Sequence, residues 1–205
     1  YQKLFEDETK PIFNRAVSGA YPPGSIFKIL PAAASLAEGR ITRYTENFDQ
    51  GMISIGPQEF VCWKDEGHGN QNVVEAIAHS CDVFFYEVVG GYLDQFRGLG
   101  VDALAKWSNA FGLGLPTYID IPGETLGQIP TRQWKRLQYQ QSWSIGDSYN
   151  ISIGQGFVLV TPLQILNATI AMANGGTLYQ PQIVYQVQDS TGHVVQSFEP
   201  KILHW

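Results

Sequence analysis

Ser25 and Lys28 are the residues best placed for covalent chemistry. They stand in Tyr21-Pro22-Pro23-Gly24-Ser25-Ile26-Phe27-Lys28, where two prolines and a glycine halt the backbone before an apolar, helix-compatible run. Neither proline nor glycine favours a helix interior, so a helix is expected to begin at Ser25. Its first turn carries unpaired backbone N–H groups and the positive end of the helix dipole, which favour developing negative charge. Lys28 follows at i+3 and falls on the same helical face, within reach of the Ser25 hydroxyl. A serine becomes a competent nucleophile when a neighbouring base takes its proton, and a lysine in a dry site is such a base. A capping serine beside a solvated lysine has the same local sequence.

A second group could hold a metal. Five residues separate Cys62 from His68, and twelve separate His68 from Cys81. Two thiolates and an imidazole suit tetrahedral zinc, and Asp49 in Phe48-Asp49-Gln50-Gly51 adds an oxygen. Four protein ligands leave no open position, so such an ion would be structural. Two other readings stand beside it. Cys62 and Cys81 could form a disulfide in an exported protein, or both could be free buried thiols with His68 packed in the core. His79 and His193 have no partners at ligand spacing and read as ordinary.

The elements that must position these residues belong to a chain of 205 residues, enough for one sizeable domain with its own core. A net charge of −6 without any basic run argues against a nucleic-acid-binding surface. No stretch approaches the ~20 apolar residues of a membrane helix, and no leader opens the chain, whose start reads as mid-domain.

The helix after Ser25 is expected to carry Ile29, Leu30, Ala33, Ala34, Leu36 and Ala37 and to stop at Gly39, with Pro31 tightening its first turn. Residues 42–70 read as loop-rich, punctuated by Gly51, Gly56-Pro57 and Gly67-His68-Gly69. A helix resumes at Asn72, capped with Glu75, and stops at Ser80-Cys81-Asp82; a buried helix over 83–89 ends at Gly90-Gly91. Residues 101–111 form an amphipathic helix with Leu104 and Trp107 on one face. Residues 118–124 read as a short strand entering a turn. Thr161-Pro162-Leu163-Gln164 opens a helix that closes at Asn174-Gly175-Gly176, and residues 183–188 and 193–198 form a hairpin about Asp189-Ser190-Thr191-Gly192.

The Tyr-Pro-Pro-Gly prefix and Ser-x-x-Lys together resemble the penicillin-binding proteins, whose active site uses an acylated serine. Ser80-Cys81-Asp82 matches the outer positions of that family's Ser-x-Asn triplet, with aspartate in third place. Further segments read, in family order, like class B transpeptidases. They are Gly67-His68-Gly69, Asp82-Val83-Phe84-Phe85-Tyr86, Ile119-Asp120-Ile121-Pro122-Gly123-Glu124, Ile153-Gly154-Gln155-Gly156 and Ala171-Met172-Ala173-Asn174-Gly175-Gly176. Ile129-Pro130-Thr131-Arg132-Gln133-Trp134-Lys135 is most like the elongation-type branch, penicillin-binding protein 2. The family's Lys-Thr-Gly strand has no match: Ser190-Thr191-Gly192 lacks the lysine.

The resemblance implies an α+β fold of the penicillin-binding protein and serine β-lactamase type. Residues 1–205 would form a partial transpeptidase domain, mainly its helical part, with much of the central antiparallel sheet missing. It implies Ser25 as nucleophile, Lys28 as general base, Ser80 as relay for the leaving-group proton, and Asp82 as an acceptor beside them. If Ser80 and Asp82 face the cleft, Cys81 should face the other way, toward Cys62 and His68; some penicillin-binding protein 2 members have a structural zinc there. No cofactor is implied for catalysis. The implied partners are peptidoglycan stem peptides, β-lactams, a RodA-like glycosyltransferase and the elongation machinery. The implied location is the extracytoplasmic face of the membrane, with one N-terminal anchor outside this chain. Two rivals remain: a β-lactamase or β-lactam sensor of the same fold, with Glu124 the nearest candidate for activating water, and a non-catalytic scaffold.

Overall fold

A computed structural model of the chain describes residues 2–92 and 96–204. In chain order its elements are α1 (Gln2–Phe5), a 3-10 turn (Gly24–Lys28), α2 (Ile29–Ala37), β1 (Asn47–Asp49), β2 (Met52–Ile55), β3 (Gln58–Val61) and β4 (Gly69–Gln71). There follow α3 (Val73–Ala78), α4 (Asp82–Gly90), α5 (Val101–Ala110), α6 (Arg132–Tyr139), α7 (Ile145–Ser152) and α8 (Pro162–Ala173), then β5 (Leu178–Tyr179), β6 (Gln186–Gln188), β7 (Val194–Ser197) and β8 (Ile202–His204). The fold is α+β with helices predominating, and every sheet among the described residues is two-stranded. The chain divides into two units. One comprises Pro22–Ser108 and Ile129–Val158; the other comprises the described residues of Tyr1–Tyr21, Asn109–Gln128 and Leu159–Trp205.

The first unit holds both candidate sites. Its central element is α4, apolar but for Asp82 and Glu87 and buried at Val83, Phe84, Phe85, Tyr86, Val88 and Val89. A helix without a polar face belongs inside, and α2, α3 and α7 surround this one. Tyr149 of α7 packs edge-on to Phe60 and stacks on Tyr86, and its hydroxyl donates to Gly91 O at 2.7 Å.

The helix expected from Ser25 begins as the 3-10 turn and becomes α-helical at Ile29. Pro31 supplies a reason: it has no N–H to close an α-type bond onto Phe27 O, so the chain winds more tightly before it. The stop at Gly39 is as expected. Gly39 has φ +63°, Gly39 N–H donates to Leu36 O, and Arg40 N–H donates to Ser35 O, a Schellman ending. Asn72 caps α3 reciprocally with Glu75, and α4 ends at Gly90 with Gly91 beyond.

The stretch expected to be loop-rich, 42–70, carries strands for which no expectation was made. It contains β1 through β4, with β1 antiparallel to β4 and β2 antiparallel to β3 across Gly56-Pro57. Strands this short show too few alternations to register in sequence, and the Asp49–Gly69 pairing joins residues far apart in the chain. The sequence also left α6 and α7 unassigned.

In the second unit, Thr161 caps α8 reciprocally with Gln164, as expected. Gln164 does more than cap. Its Nε2 donates to Leu115 O and Leu126 O, tying two loops to the buried helix start. Residues 118–124 are not a strand. The backbone donors of Thr117 and Tyr118 go to the Glu124 carboxylate, and Asp120 accepts from Ile183 and Val184, so no ladder can form there. The hairpin β6–β7 forms as expected, closed by Asp189 accepting from the backbone of Thr191 and His193.

Candidate active site and metal centre

Ser25 is the second residue of the 3-10 turn, and it is exposed. At three residues per turn, positions i and i+3 eclipse, so Ser25 and Lys28 lie one above the other along the axis. The turn is seated on the loop after α7, where Gly24 N–H donates to Gly154 O at 2.9 Å. Gly154 has φ +71°, and a Cβ there would run into the Gly24 backbone and Phe27 Cβ. Only glycine lets the loop approach so closely.

Lys28 is 2% exposed, and its Nζ donates to Ser80 O (2.8 Å), Ser80 Oγ (3.0 Å) and Asp82 Oδ1 (2.6 Å). An ammonium has three N–H donors, and these bonds use all of them. The expected contact between Lys28 and the Ser25 hydroxyl is therefore not formed in this state. A buried ammonium needs a counter-charge, and Asp82 supplies it. The Asp82 carboxylate opens α4, where the helix dipole favours negative charge, and its Oδ2 accepts from Trp63 N at 3.2 Å. Asparagine at this position could not neutralise the ammonium.

Ser80 follows α3 in a left-handed conformation, φ +53°. Cys81 N–H donates to Ala76 O and Ser80 N–H to Ile77 O, completing a Schellman ending in which serine occupies the position usually held by glycine. The left-handed region costs an L-residue about 1–2 kcal/mol. Here it directs the Ser80 carbonyl and hydroxyl toward one lysine.

Cys81 faces the other way, as expected. Its Sγ is 3.2 Å from Asp49 Oδ2, which is 2.8 Å from His68 Nδ1; Cys62 Sγ is 3.5 Å from the same nitrogen. The four ligand atoms lie within 4.8 Å of one another, and Asp49, Cys62 and Cys81 are buried. Both cysteines are free thiols. Gly67, φ +73°, lets the His68 loop close on Asp49 and Gly51, where a Cβ would strike backbone. The neighbouring Cys81 thiol holds Cys62 down to about 6 against the opposing effect of burial, while the Cys62 sulfur and burial push Cys81 up. At Asp49 burial works upward, but hydrogen bonds from His68, Gly51 and Cys81 outweigh it and hold the carboxyl low. Two thiols, an imidazole and a carboxylate converging on one point could together hold a metal ion that accepts four tetrahedral ligands. His79 stacks on His68 and bonds Gln71 Oε1, and His193 is exposed on the hairpin turn.

Trp63 escaped the sequence reading. Its position directly after Cys62 was the only signal. The structure gives it three hydrogen bonds to the loop at 79–82.

A serine and a lysine at i+3, with that lysine held by a Ser-x-Asp turn, match the Ser-x-x-Lys pattern of acyl-serine penicillin-interacting domains. Residues 2–204 match the penicillin binding protein transpeptidase domain, and the chain belongs to that family. Within it, the chain is of class B and the penicillin-binding protein 2 type. It is 36% identical over 206 residues to the peptidoglycan D,D-transpeptidase MrdA of Haemophilus influenzae, covering 100% of this chain and 30% of the relative. The penicillin-binding protein PBP2 of Helicobacter pylori, solved in complex with MreC, superposes with a TM-score of 0.80 at 33% identity, over 98% of this chain and 34% of that one. A chain of a peptidoglycan synthase complex superposes with a TM-score of 0.83 at 33% identity, over 100% of this chain and 33% of that one. This chain thus spans about a third of the length of these relatives.

Proposed function

We propose that this chain supplies the acyl-serine face of a serine-type peptidoglycan D,D-transpeptidase that cross-links stem peptides and is blocked by β-lactams. The observation that carries the reading is the buried Lys28 ammonium gripped by Ser80 and Asp82, one tight turn from an exposed Ser25. Once Lys28 has given up one ammonium proton to solvent, Ser25 Oγ attacks the penultimate D-Ala carbonyl of a stem peptide and the Lys28 amine takes the hydroxyl proton. Ser80 Oγ, bonded to Lys28 Nζ, passes its proton to the departing D-Ala amine and is reprotonated from Lys28, so the proton taken from Ser25 leaves with D-Ala. An amine from a neighbouring strand then attacks the acyl-enzyme, its proton returns to Ser25, and the cross-link leaves. The Ser25 N–H is one oxyanion donor; the other, with the Lys-Thr-Gly wall and the rest of the sheet, comes from sequence outside residues 1–205. A β-lactam acylates the same serine through its strained amide.

Asp49, Cys62, His68 and Cys81 would hold a structural zinc, which supplies a covalent-strength tie between the β-strand loops and the start of α4 when bound. The chemistry at Ser25 requires no cofactor. A RodA-like glycosyltransferase and the elongation machinery are the partners this reading assigns; support comes from the Helicobacter pylori relative seen with MreC and from the peptidoglycan synthase complex. The site would work on the extracytoplasmic face of the membrane, held by an N-terminal anchor outside this chain. The β-lactamase alternative needs a free carboxylate to activate water. Glu124 is committed to the backbone of Thr117 and Tyr118.

The test is intact mass after incubation with a penicillin, on this chain and on the longer protein that carries it, each beside Ser25→Ala. The expected result is a long-lived adduct on the longer protein that the alanine variant lacks. Rapid release of hydrolysed penicillin would favour the lactamase, and a folded protein that takes no label would favour the scaffold.

A further inference from the structure

We infer that Trp63 is a positioning residue, whose indole N–H locks the Ser80 turn in the conformation that presents its carbonyl and hydroxyl to Lys28. The inference rests on the acyl-serine reading of Ser25 and Lys28. Trp63 Nε1 donates to His79 O at 3.0 Å and to Ser80 O at 3.1 Å. These are carbonyls at the end of α3, where the helix offers them no partner of its own. Ser80 O also accepts from Lys28, so one oxygen joins the indole to the lysine. The main-chain N–H of Trp63 meanwhile donates to Asp82 Oδ2. Both groups that grip Lys28 are therefore held from behind by this one residue.

Two further facts point the same way. Ser80 sits at φ +53°, and a strained backbone persists only where its surroundings over-determine it. The amide bonds that close α3 fix the N–H side of the turn; Trp63 and Lys28 fix the carbonyl side. Moreover, Trp63 is 63% exposed: its ring meets His68 edge-on at 5.3 Å, and its indole N–H is directed to the two carbonyls of the turn.

The experiment compares the longer protein with Trp63→Phe and with a variant carrying benzothienylalanine at 63, which keeps the ring size and replaces N–H by sulfur. Measured quantities are the acylation rate constant at saturating penicillin, the half-saturating concentration, bound metal, thermal midpoint and hydrogen exchange over residues 76–84. The expected result in both variants is acylation at least about tenfold slower, with unchanged half-saturation, metal content and thermal midpoint, and faster exchange at Ser80 and Cys81. Unchanged acylation in a folded variant overturns the inference. So does slowing that is matched by loss of metal or of thermal stability, since that is a structural role. If the unsubstituted protein itself takes no label, the acyl-serine reading fails, and exchange alone then decides: faster in the variants supports the clamp, unchanged refutes it.

Discussion

Lys28 and Asp82 form an ion pair of 2.6 Å whose side chains are only 2% and 13% exposed. Desolvating two charges offsets most of their attraction, so the intact pair adds little net stability, but removing one partner strands the other.

Lys28→Met should therefore cost about 3–5 kcal/mol, read from urea unfolding, and abolish penicillin labelling. Adding Asp82→Asn should recover much of that stability without restoring labelling. A double variant as unstable as the sum of the two singles would show that the pair is not coupled.

Ser80→Gly and Ser80→Ala both delete the hydroxyl, but only alanine keeps a Cβ at φ +53°. The glycine variant should be the more stable of the two by about 1 kcal/mol, while both label at least about tenfold more slowly than the parent. Equal unfolding midpoints would mean that the turn relaxes out of the left-handed region in the variants.

Elemental analysis of the reduced, metal-replete protein should find one zinc per chain. Cys62→Ser or Asp49→Asn should lower that content, and a strong chelator should lower the thermal midpoint by at least about 5 °C. A Cys62–Cys81 disulfide without zinc would identify the oxidised alternative.

Burial, with a smaller contribution from the Asp49 charge, lifts the Glu87 carboxyl from its ordinary 4.5 to about 7. Between those values the folded chain holds a proton that the unfolded chain releases, so this group lowers stability as pH rises from about 4.5 to about 7. Glu87→Gln should remove that dependence and exceed the parent at pH 8 by about 1–3 kcal/mol. Parallel stability profiles for parent and variant from pH 5 to 8 would refute it.

Local chemistry was legible in the sequence. The caps at Asn72 and Thr161, the stops at Gly39 and Gly91, and the Asp189 turn all rest on bonds between residues a few positions apart. Their donors and acceptors can be matched on paper. Residues 118–124 were misread for the complementary reason: their alternating apolar pattern suits a strand, but Asp120 and Glu124 take the backbone donors that a ladder would have needed or offered.

By itself, the sequence determined the chemical inventory: a serine and a lysine at i+3 behind a proline-glycine halt, a Ser-Cys-Asp turn, and four residues of zinc-binding type. Tertiary structure decided what each one touches. It committed Lys28 to Ser80 and Asp82, brought Asp49, Cys62, His68 and Cys81 within 4.8 Å of one another, and set Trp63 behind the Ser80 turn. The reason is that a buried charge or thiol takes its partners from whatever the core brings alongside it. Those neighbours are set by the packing of α4 among α2, α3 and the β-strand loops, which no local pattern encodes.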